Sequence, residues 1–299
     1  MFQNLRFYRV TSPWPDSEEA LSEILSVNPF SPCGAFSERS AGWEPPGNIE
    51  NGPLCRRLNG ADLLQLRTQS RVLPAAAIKY ALEERVIEFR SRMKLEPTRG
   101  EVRRLKEETR NELLPKSLVK SERSFACYIH SESLLVINAG TVTKAEWLIE
   151  QLRTCFSQFS CTPLTFKKSP ADLLTGIFLG DSPLGFSLGR ECRMQDVMES
   201  KSVAIWRDFE LTDPSIRQHV VEGMRLTHLG VVFDEVMNCV IDQEGVVSKV
   251  KFIEGDAADQ WDSEDPMAKL DADFVLLTGA VRRLIEDLKK LLGGFAHSE

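Results

Sequence analysis

Residues 74–115 read PAAAIKYALEERVIEFRSRMKLEPTRGEVRRLKEETRNELLP and decide the most distinctive part of the fold. The first half repeats apolar residues at spacings of four, four, three and four: Ile78, Leu82, Val86, Phe89 and Met93. This spacing places them along one face of an α-helix. A helix over 75–93 would be roughly 28 Å long at about 1.5 Å per residue.

The second half of this stretch predicts a partner helix. Pro97 ends the first helix, because the residue before a proline disfavours the helical conformation. Thr98 and Glu101 then have the spacing of a capping box, in which hydroxyl and carboxylate accept hydrogen bonds from free backbone N–H groups. Pro115 closes the second helix. The sequence therefore predicts a protruding helical hairpin over 75–114.

Around the hairpin, alternating apolar residues predict strands at 5–10, 61–67, 125–130, 134–138, 202–209, 226–233, 236–241 and 247–253. Further helices are predicted at 18–26, 145–156, 213–224 and 273–292. Strands follow one another without a β-α-β-α rhythm, which indicates an α+β fold with mixed or antiparallel sheets and packed helices. A length of 299 residues suggests two or three domains. We divide the chain into an N-terminal α/β lobe (1–74 plus 115–165), the hairpin tip (75–114) and a C-terminal α+β lobe (166–299).

The composition is that of a soluble globular protein, with 42% hydrophobic and 27% charged residues. No apolar run approaches the roughly 20 residues that span a bilayer, and the start of the chain lacks the apolar run of a signal peptide. The seven cysteines include no C-x-x-C pair. Reduced thiols in the cytoplasm are the expectation, with no membrane partner.

The net charge of −7 conceals an uneven distribution. Residues 67–124 carry 15 basic and 9 acidic side chains, whereas residues 190–299 carry 13 and 22. One cationic fifth therefore lies within an otherwise acidic chain. A local basic face can bind a polyanion, because charges farther away than roughly 10 Å are screened. The alternative is a solvated pair of helices of mixed charge, as most charged runs are.

The cations of the second helix share one face. Arg99, Arg103, Lys106 and Arg110 follow spacings of four, three and four, and the carboxylates of Glu101, Glu108 and Glu112 fall on another face. Further cations extend the area on the first helix and at the base of the hairpin. No aromatic stacking motif accompanies them, so phosphate contact without base reading is the expectation.

Sequence motifs for other chemistry are absent. There is no P-loop, dinucleotide fingerprint, H-E-x-x-H or G-x-S-x-G, and the four histidines are scattered. A set of carboxylates could hold Mg²⁺ for a nuclease: Glu254, Asp256, Asp259, Asp271 and Asp273. We favour a solvated acidic loop over 255–265, with the last two capping the final helix. The expectation is a protein that is not an enzyme, without cofactor or metal.

Several short motifs, in order along the chain, resemble the recombination-associated protein RdgC family. They are Asn4-Leu-x-x-Tyr8-Arg9, Ser31-Pro-Cys-Gly34, Gly42-Trp-x-Pro-Pro46, Val72-Leu-Pro74, Leu113-Leu-Pro115, Leu211-Thr212, Leu270-Asp-Ala-Asp-Phe274 and Thr278-Gly279. Each motif is weak by itself, but together they cover essentially the whole chain. The chain looks like a divergent member of that family.

The resemblance implies a non-enzymatic, nucleoid-associated protein. Members form a ring-shaped homodimer, bind double- and single-stranded DNA without sequence preference, and restrict access of the recombinase RecA. The partners implied are DNA, a second copy of the chain and, by functional antagonism, RecA. With the cationic faces, it predicts these DNA-binding residues: Arg67, Arg71, Lys79, Arg92, Arg99, Arg103, Lys106, Arg110, Lys116, Lys120 and Arg207.

Two departures from the family pattern leave an alternative open. Where members usually carry consecutive basic residues and a glutamine, this chain has Arg207-Asp208-Phe209-Glu210, so one positive charge remains. Leu118 stands where an aromatic residue is usual. The alternative is a protein-interaction adaptor that keeps the ring fold but has weakened or lost DNA binding.

Overall fold

Alternating buried residues build one large antiparallel sheet in the computed structural model, which describes residues 2–47, 49, 52–196, 198, 202–253 and 265–296. The strands in these ranges are β1 (Asn4–Val10), β2 (Arg39–Glu44), β3 (Cys55–Leu58), β4 (Ala61–Val72), β5 (Leu118–Ile129), β6 (Leu134–Asn138), β7 (Cys161–Pro163), β8 (Phe186–Asp196), β9 (Val203–Arg207), β10 (Met224–Phe233), β11 (Met237–Asp242) and β12 (Val247–Phe252). The α-helices are α1 (Glu18–Leu25), α2 (Ala75–Met93), α3 (Arg99–Leu113), α4 (Val142–Cys155), α5 (Pro170–Leu179), α6 (Pro214–Val221) and α7 (Pro266–Leu291).

The strand order across the sheet is β2-β4-β5-β6-β1-β12-β11-β10-β8-β9, with β3 paired to β4 and β7 to β1. Each of these strand pairs is antiparallel. The predicted α+β class is confirmed, and the sheet is antiparallel throughout the described pairings. Assembly into a ring stays a prediction, and so does the division into lobes.

Two hydrophobic cores lie on opposite faces of the sheet. Along β1, Leu5 and Phe7 belong to the first core, whereas Tyr8 and Val10 belong to the second. Successive strand residues point to opposite faces, so the two sets separate. Helices α5, α6 and α7 contribute to the first core, and α1 and α4 contribute to the second. The second core contains no residue of β8–β12.

Helix α7 ties the C-terminal part to the strands near the N-terminus. The Asp271 carboxylate accepts two hydrogen bonds from the Arg56 guanidinium of β3, at 2.5 and 3.1 Å. The Arg282 guanidinium donates to the Asn59 carbonyl at 2.6 Å. Buried residues of α7 share the first core with Ala61 and Leu63 of β4. The first core therefore runs continuously across the predicted lobe boundary.

The predicted hairpin is present, with the predicted caps. Thr98 Oγ1 accepts from the Glu101 N–H, and the Glu101 carboxylate accepts from the Thr98 N–H at 2.7 Å. Lys94 ends α2 in the left-handed conformation, at φ +52°. The apolar stripe of α2 packs against α3, but no residue of α2 is fully buried. The hairpin thus stands away from both cores.

Strands β4 and β5 are longer than predicted. Their outer halves pair from Arg67 opposite Arg123 to Val72 opposite Leu118, and β2 pairs with β4 as far as Arg39 opposite Ser70. Both outer halves are polar, so the apolar alternation that predicts strands is missing there. Backbone pairing between distant segments makes this ribbon. It carries the hairpin at its end.

The predicted start of the final helix is wrong. Helix α7 begins at Pro266, and the Asp265 side chain accepts from the Met267 N–H at 2.9 Å. Asp265 followed by proline is itself a strong helix start. Asp271 and Asp273 therefore lie inside α7 and do not cap it. No helix in the described ranges is both long and apolar enough to cross a bilayer.

Candidate nucleic-acid interface

Residues 67–124, here named the arm, combine the outer β4–β5 ribbon with the α2–α3 hairpin. This range coincides with the cationic fifth of the sequence. In an antiparallel pair, directly opposite residues share a face. Arg67, Arg71 and Arg123 therefore lie on one face of the ribbon, and Lys120 lies on the other.

The cationic face of α3 is partly neutralised. Arg103 pairs with Glu107 at 3.5 Å, and Arg110 pairs with Glu38 at 2.5 Å. Arg99 and Lys106 are exposed and make no ion pair with the described residues. The predicted separation of basic and acidic side chains therefore holds for only part of this face. The sequence analysis did not take account of Glu107 and Glu38, which lie beside two of the four cations.

The carboxylates predicted to point elsewhere are occupied locally. Glu101 belongs to the capping box, and hydrogen bonds from Thr98 lower its pKa. Glu108 pairs with Arg104 at 3.5 Å. Glu112 pairs with Arg85 of α2 and with Lys116 at 3.4 Å. Lys116, a predicted DNA contact, therefore already has a carboxylate beside it.

Helix α2 contributes one cation that has no ion-pair partner among the described residues. Lys79 lies 3.8 Å from Glu83, one turn further along the helix. Arg92 is exposed and forms no ion pair within the described part of the chain. Pairs between such exposed side chains are worth about 0–1 kcal/mol, so a phosphate can displace them.

Arg71 holds the base of the hairpin. Its guanidinium donates to the carbonyls of Gly34, Leu114, Pro115 and Ser117 at 3.1–3.3 Å. These bonds occupy Nε and Nη1, two of the three nitrogen atoms through which a guanidinium can bind a phosphate. We therefore assign Arg71 a structural role in fixing the hairpin on the ribbon.

Arg67 and Lys120 are also engaged. The Arg67 guanidinium donates to Ser121 Oγ at 3.0 Å, lies 3.5 Å from a Glu44 oxygen and stacks over the Phe30 ring at 4.4 Å. Lys120 lies 3.5 Å from Glu122. The hydrogen bond from Lys144 lowers the pKa of Glu122 more than Lys120 does.

Arg207 lies far from the arm in the order of the sheet. It ends β9, one outer strand of the sheet, whereas β2 and β4 lie at the other end. Its side chain is exposed, and it stands opposite Glu191 of β8. Within one chain, the structure does not bring Arg207 together with the other predicted contacts.

The sequence analysis missed a second cationic surface, the face of β8–β12 opposite the first core. Cross-strand registers place these residues on this bare face: Arg193, Arg207, Arg225, His228 and Lys251. No buried residue from a described helix packs on it. The sequence signal that could have predicted this face is the alternation in β8 of polar residues with Cys192 and Met194, which are buried. Glu191 on the same face pairs with Lys249 at 2.6 Å.

The carboxylate set considered for a metal is not assembled in the described part of the chain. Glu254, Asp256 and Asp259 lie outside the described residues. Asp271 binds Arg56, and no three metal-ligating side chains come together within the described ranges.

The seven cysteines are free thiols. Burial raises the pKa of Cys55 and Cys239 to about 12. Burial also raises the pKa values of Cys155 and Cys161. Thiols with raised pKa values are poor nucleophiles at neutral pH.

The fold and the arm define a protein of mixed α+β class, built on one long antiparallel sheet with a cationic helical projection. A family model described as "Putative exonuclease, RdgC" matches residues 1–295. The chain belongs to the RdgC family, as the motifs predicted.

Relatives named recombination-associated protein RdgC match along nearly their whole length. The protein from Tolumonas auensis is 29% identical over 296 residues, covering 98% of each chain. The protein from Aeromonas hydrophila is 30% identical over 298 residues, again 98% of each. The protein from Xanthomonas oryzae is 31% identical over 288 residues, or 95% of each.

Proposed function

We propose that the protein binds single- and double-stranded DNA without sequence preference and modulates homologous recombination. The observation that carries the proposal is the arm, a projecting unit with a net charge of +6 on a chain of net charge −7. Arg92, Arg99 and Lys106 on this arm have no carboxylate partner among the described residues. Cations in such positions bind the DNA backbone through phosphates, which every sequence presents alike.

The bare face supplies a second set of contacts. Arg193, Arg207, Arg225 and Lys251 are exposed on one side of the sheet formed by β8–β12. The arm and the bare face belong to opposite ends of the strand order. Cationic surfaces at both ends of the strand order suit a protein that surrounds DNA.

Exposed apolar side chains at both ends of the strand order support the proposal of a ring-shaped homodimer. At the hairpin, Tyr80, Ile87 and Leu95 are 63–70% exposed. At the other end, Ile205 of the outer strand β9 is 51% exposed. Exposed apolar groups mark interaction sites, and two separate self-complementary contacts between two copies close a ring.

We further propose that DNA occupied by this ring is less accessible to RecA, and that the protein is not an enzyme and is associated with the nucleoid. The relatives' name supports the link to recombination. The wording of the family description makes nuclease activity the competing possibility. Incubating labelled DNA with the protein and Mg²⁺ tests it, since processive shortening of the DNA would overturn the non-enzymatic proposal.

The adaptor alternative draws support from the pairing of charges. Six predicted contacts already have carboxylate partners: Arg67, Lys79, Arg103, Arg110, Lys116 and Lys120. If these pairs persisted in the presence of DNA, affinity would be low and the ring would serve protein contacts. A gel shift at two salt concentrations separates the two functions.

We expect a steep dependence of DNA binding on salt. Each phosphate contact on a duplex contributes a slope of about −0.9 to a plot of log affinity against log salt. With at least about four contacts, the slope should be near −3.6 or steeper. Fluorescence anisotropy with random duplexes of one length measures it. A flat response would contradict phosphate binding, and preference for one sequence would contradict nonspecific binding.

Apolar substitutions at the hairpin should open one of the two contacts of the ring. We expect the triple variant Tyr80→Ala, Ile87→Ala, Leu95→Ala to remain folded, because these side chains are exposed. Sedimentation velocity should then show a dimer of larger frictional ratio, held by the remaining contact. The matched control replaces Val27, which is 69% exposed but lies outside the arm. A wild-type protein that sediments as a monomer at micromolar concentration would overturn the ring.

A further inference from the structure

A cleft of about 460 Å³ lies beside β1. It is bounded by β1, the first residue of α4, the segment 163–170 and the turn between β11 and β12. None of the predicted DNA contacts lines it. Ligand sites in proteins are typically clefts of about 300–1,000 Å³, so this one can hold a small molecule.

Arg6 gives the cleft its charge. Its side chain is half-buried, its Nε is fully enclosed, and no described residue accepts a hydrogen bond from that atom. Glu244 also lines the cleft, but Arg6 forms no ion pair with it or with any other described carboxylate. Half-buried guanidinium groups are ordinarily paired, because removing charge from water is costly. Arg6 therefore has a binding capacity that the described protein leaves unused.

Tyr8 and Lys168 add two donors on the same cleft. Tyr8 follows Arg6 by two residues on β1, so both side chains project from one face. Burial raises the pKa of the Tyr8 phenol, which therefore keeps its O–H at neutral pH. Lys168 also lines the cleft, is exposed and adds a positive charge.

The remaining walls are largely apolar. They are formed by Val142, Pro163, Phe166, Pro170 and Val246. Gly245 lies in the turn at φ +83°, and a Cβ there would meet the Phe166 ring at 3.2 Å. Glycine thus lets the turn approach the ring. Apolar walls with a few convergent donors are the usual composition of a site for a small organic ligand.

We propose that this cleft binds a small organic anion, whose carboxylate or phosphate group contacts Arg6, Tyr8 and Lys168. The apolar part of the ligand lies against Phe166 and the two prolines of the wall. The volume suits a molecule up to about the size of a mononucleotide. This binding is independent of DNA, because the residues concerned lie outside the proposed DNA surfaces.

Isothermal titration of the full-length protein with matched probes tests the proposal. Adenosine 5′-monophosphate is compared with adenosine, and benzoate with benzamide, so that each pair differs mainly in the anionic group. Inorganic phosphate shows whether the anion alone suffices. We expect saturable binding of at least one organic anion, and binding at least about tenfold weaker for its neutral counterpart. Absence of binding by both anions, or equal binding of the neutral probes, would overturn the proposal.

Two variants locate the binding. Arg6→Met removes the guanidinium but keeps the apolar stem, and Val142→Asp places a negative charge at the mouth. Because Val142 is 48% exposed in the first turn of α4, an aspartate there suits the helix. Each variant should weaken binding of the organic anion at least about tenfold.

Lys167→Gln is the control, because Lys167 is adjacent to the cleft residues but does not line it. Anion binding unchanged in both Arg6→Met and Val142→Asp would place the ligand elsewhere. DNA affinity should be unchanged in Arg6→Met. A failure of the small-anion proposal can therefore be distinguished from a failure of the proposed DNA binding.

Discussion

Replacing Asp62 by Asn is expected to lower the free energy of unfolding by about 3 kcal/mol, because it breaks a buried ion pair. The Asp62 carboxylate is completely buried in β4. It accepts hydrogen bonds from Arg57 Nε at 2.6 Å, from Arg57 Nη2 at 2.9 Å and from Trp14 Nε1 at 2.7 Å. His130 Nε2 lies 3.0 Å away.

The Asp62→Asn substitution disturbs several interactions around the carboxylate. Hydrogen bonding to Asp62 raises the pKa of Arg57, and Asn would leave this largely buried guanidinium without its counter-ion. Arg57 also donates to the carbonyls of Pro15 and Asp16, so the segment before α1 loses its anchor. Asn offers one acceptor oxygen in place of two, so it cannot accept fully from both Arg57 and the Trp14 indole, which stacks on Tyr128 at 4.1 Å.

Urea denaturation followed by tryptophan fluorescence measures the effect. Glu122→Gln is the matched control, because the Glu122 carboxylate also pairs with two lysines, Lys120 of β5 and Lys144 of α4, but its side chain is 42% exposed. Loss of the Glu122 carboxylate should lower the free energy of unfolding by less than about 1 kcal/mol. If Asp62→Asn is as stable as the control variant, the buried cluster does not stabilise this end of the sheet.

Removing three cations of the arm that have no ion pair among the described residues is expected to reduce DNA affinity by at least about tenfold at low salt. The variant is Arg92→Gln, Arg99→Gln, Lys106→Gln, and the salt slope should become shallower by up to about 2.7. Glutamine has a helix propensity close to that of arginine and lysine, so the hairpin should remain folded. Anisotropy titrations over a range of salt, with melting temperatures, measure both effects.

The matched control changes the same number of charges on the same arm. It is Lys79→Gln, Arg103→Gln, Lys116→Gln, in which each cation has a carboxylate partner. We expect a smaller loss of affinity, since these cations are partly neutralised before DNA binds. Equal losses would show that the ion pairs open freely on DNA. If the variant Arg92→Gln, Arg99→Gln, Lys106→Gln kept full DNA affinity, the DNA contacts would lie on the bare face, or the adaptor function would be favoured.

Local signals in the sequence sufficed for the hairpin and for most elements of the sheet. These signals are the apolar stripe from Ile78 to Met93, the capping box at Thr98 and the prolines that end the helices. Each depends on residues that are close together in the chain, so it can be recognised from the sequence alone. The α+β class follows from the order of these elements, and the motifs spread along the chain led to the family that the comparison confirms. The start of α7 was predictable as well, since Asp265-Pro266 is a local signal that the acidic residues after it obscured.

Only the tertiary structure decided which cations are available to a ligand. Arg123 binds Glu44 across 79 residues of sequence, and Arg71 donates to carbonyls of two distant segments. The Nε atom of Arg6 is enclosed and has no acceptor among the described residues. A helix face can be read from spacing, but an ion pair between strands depends on register and on which segments the sheet brings together. Charge is therefore a property of the sequence, whereas the availability of each charge is a property of the fold.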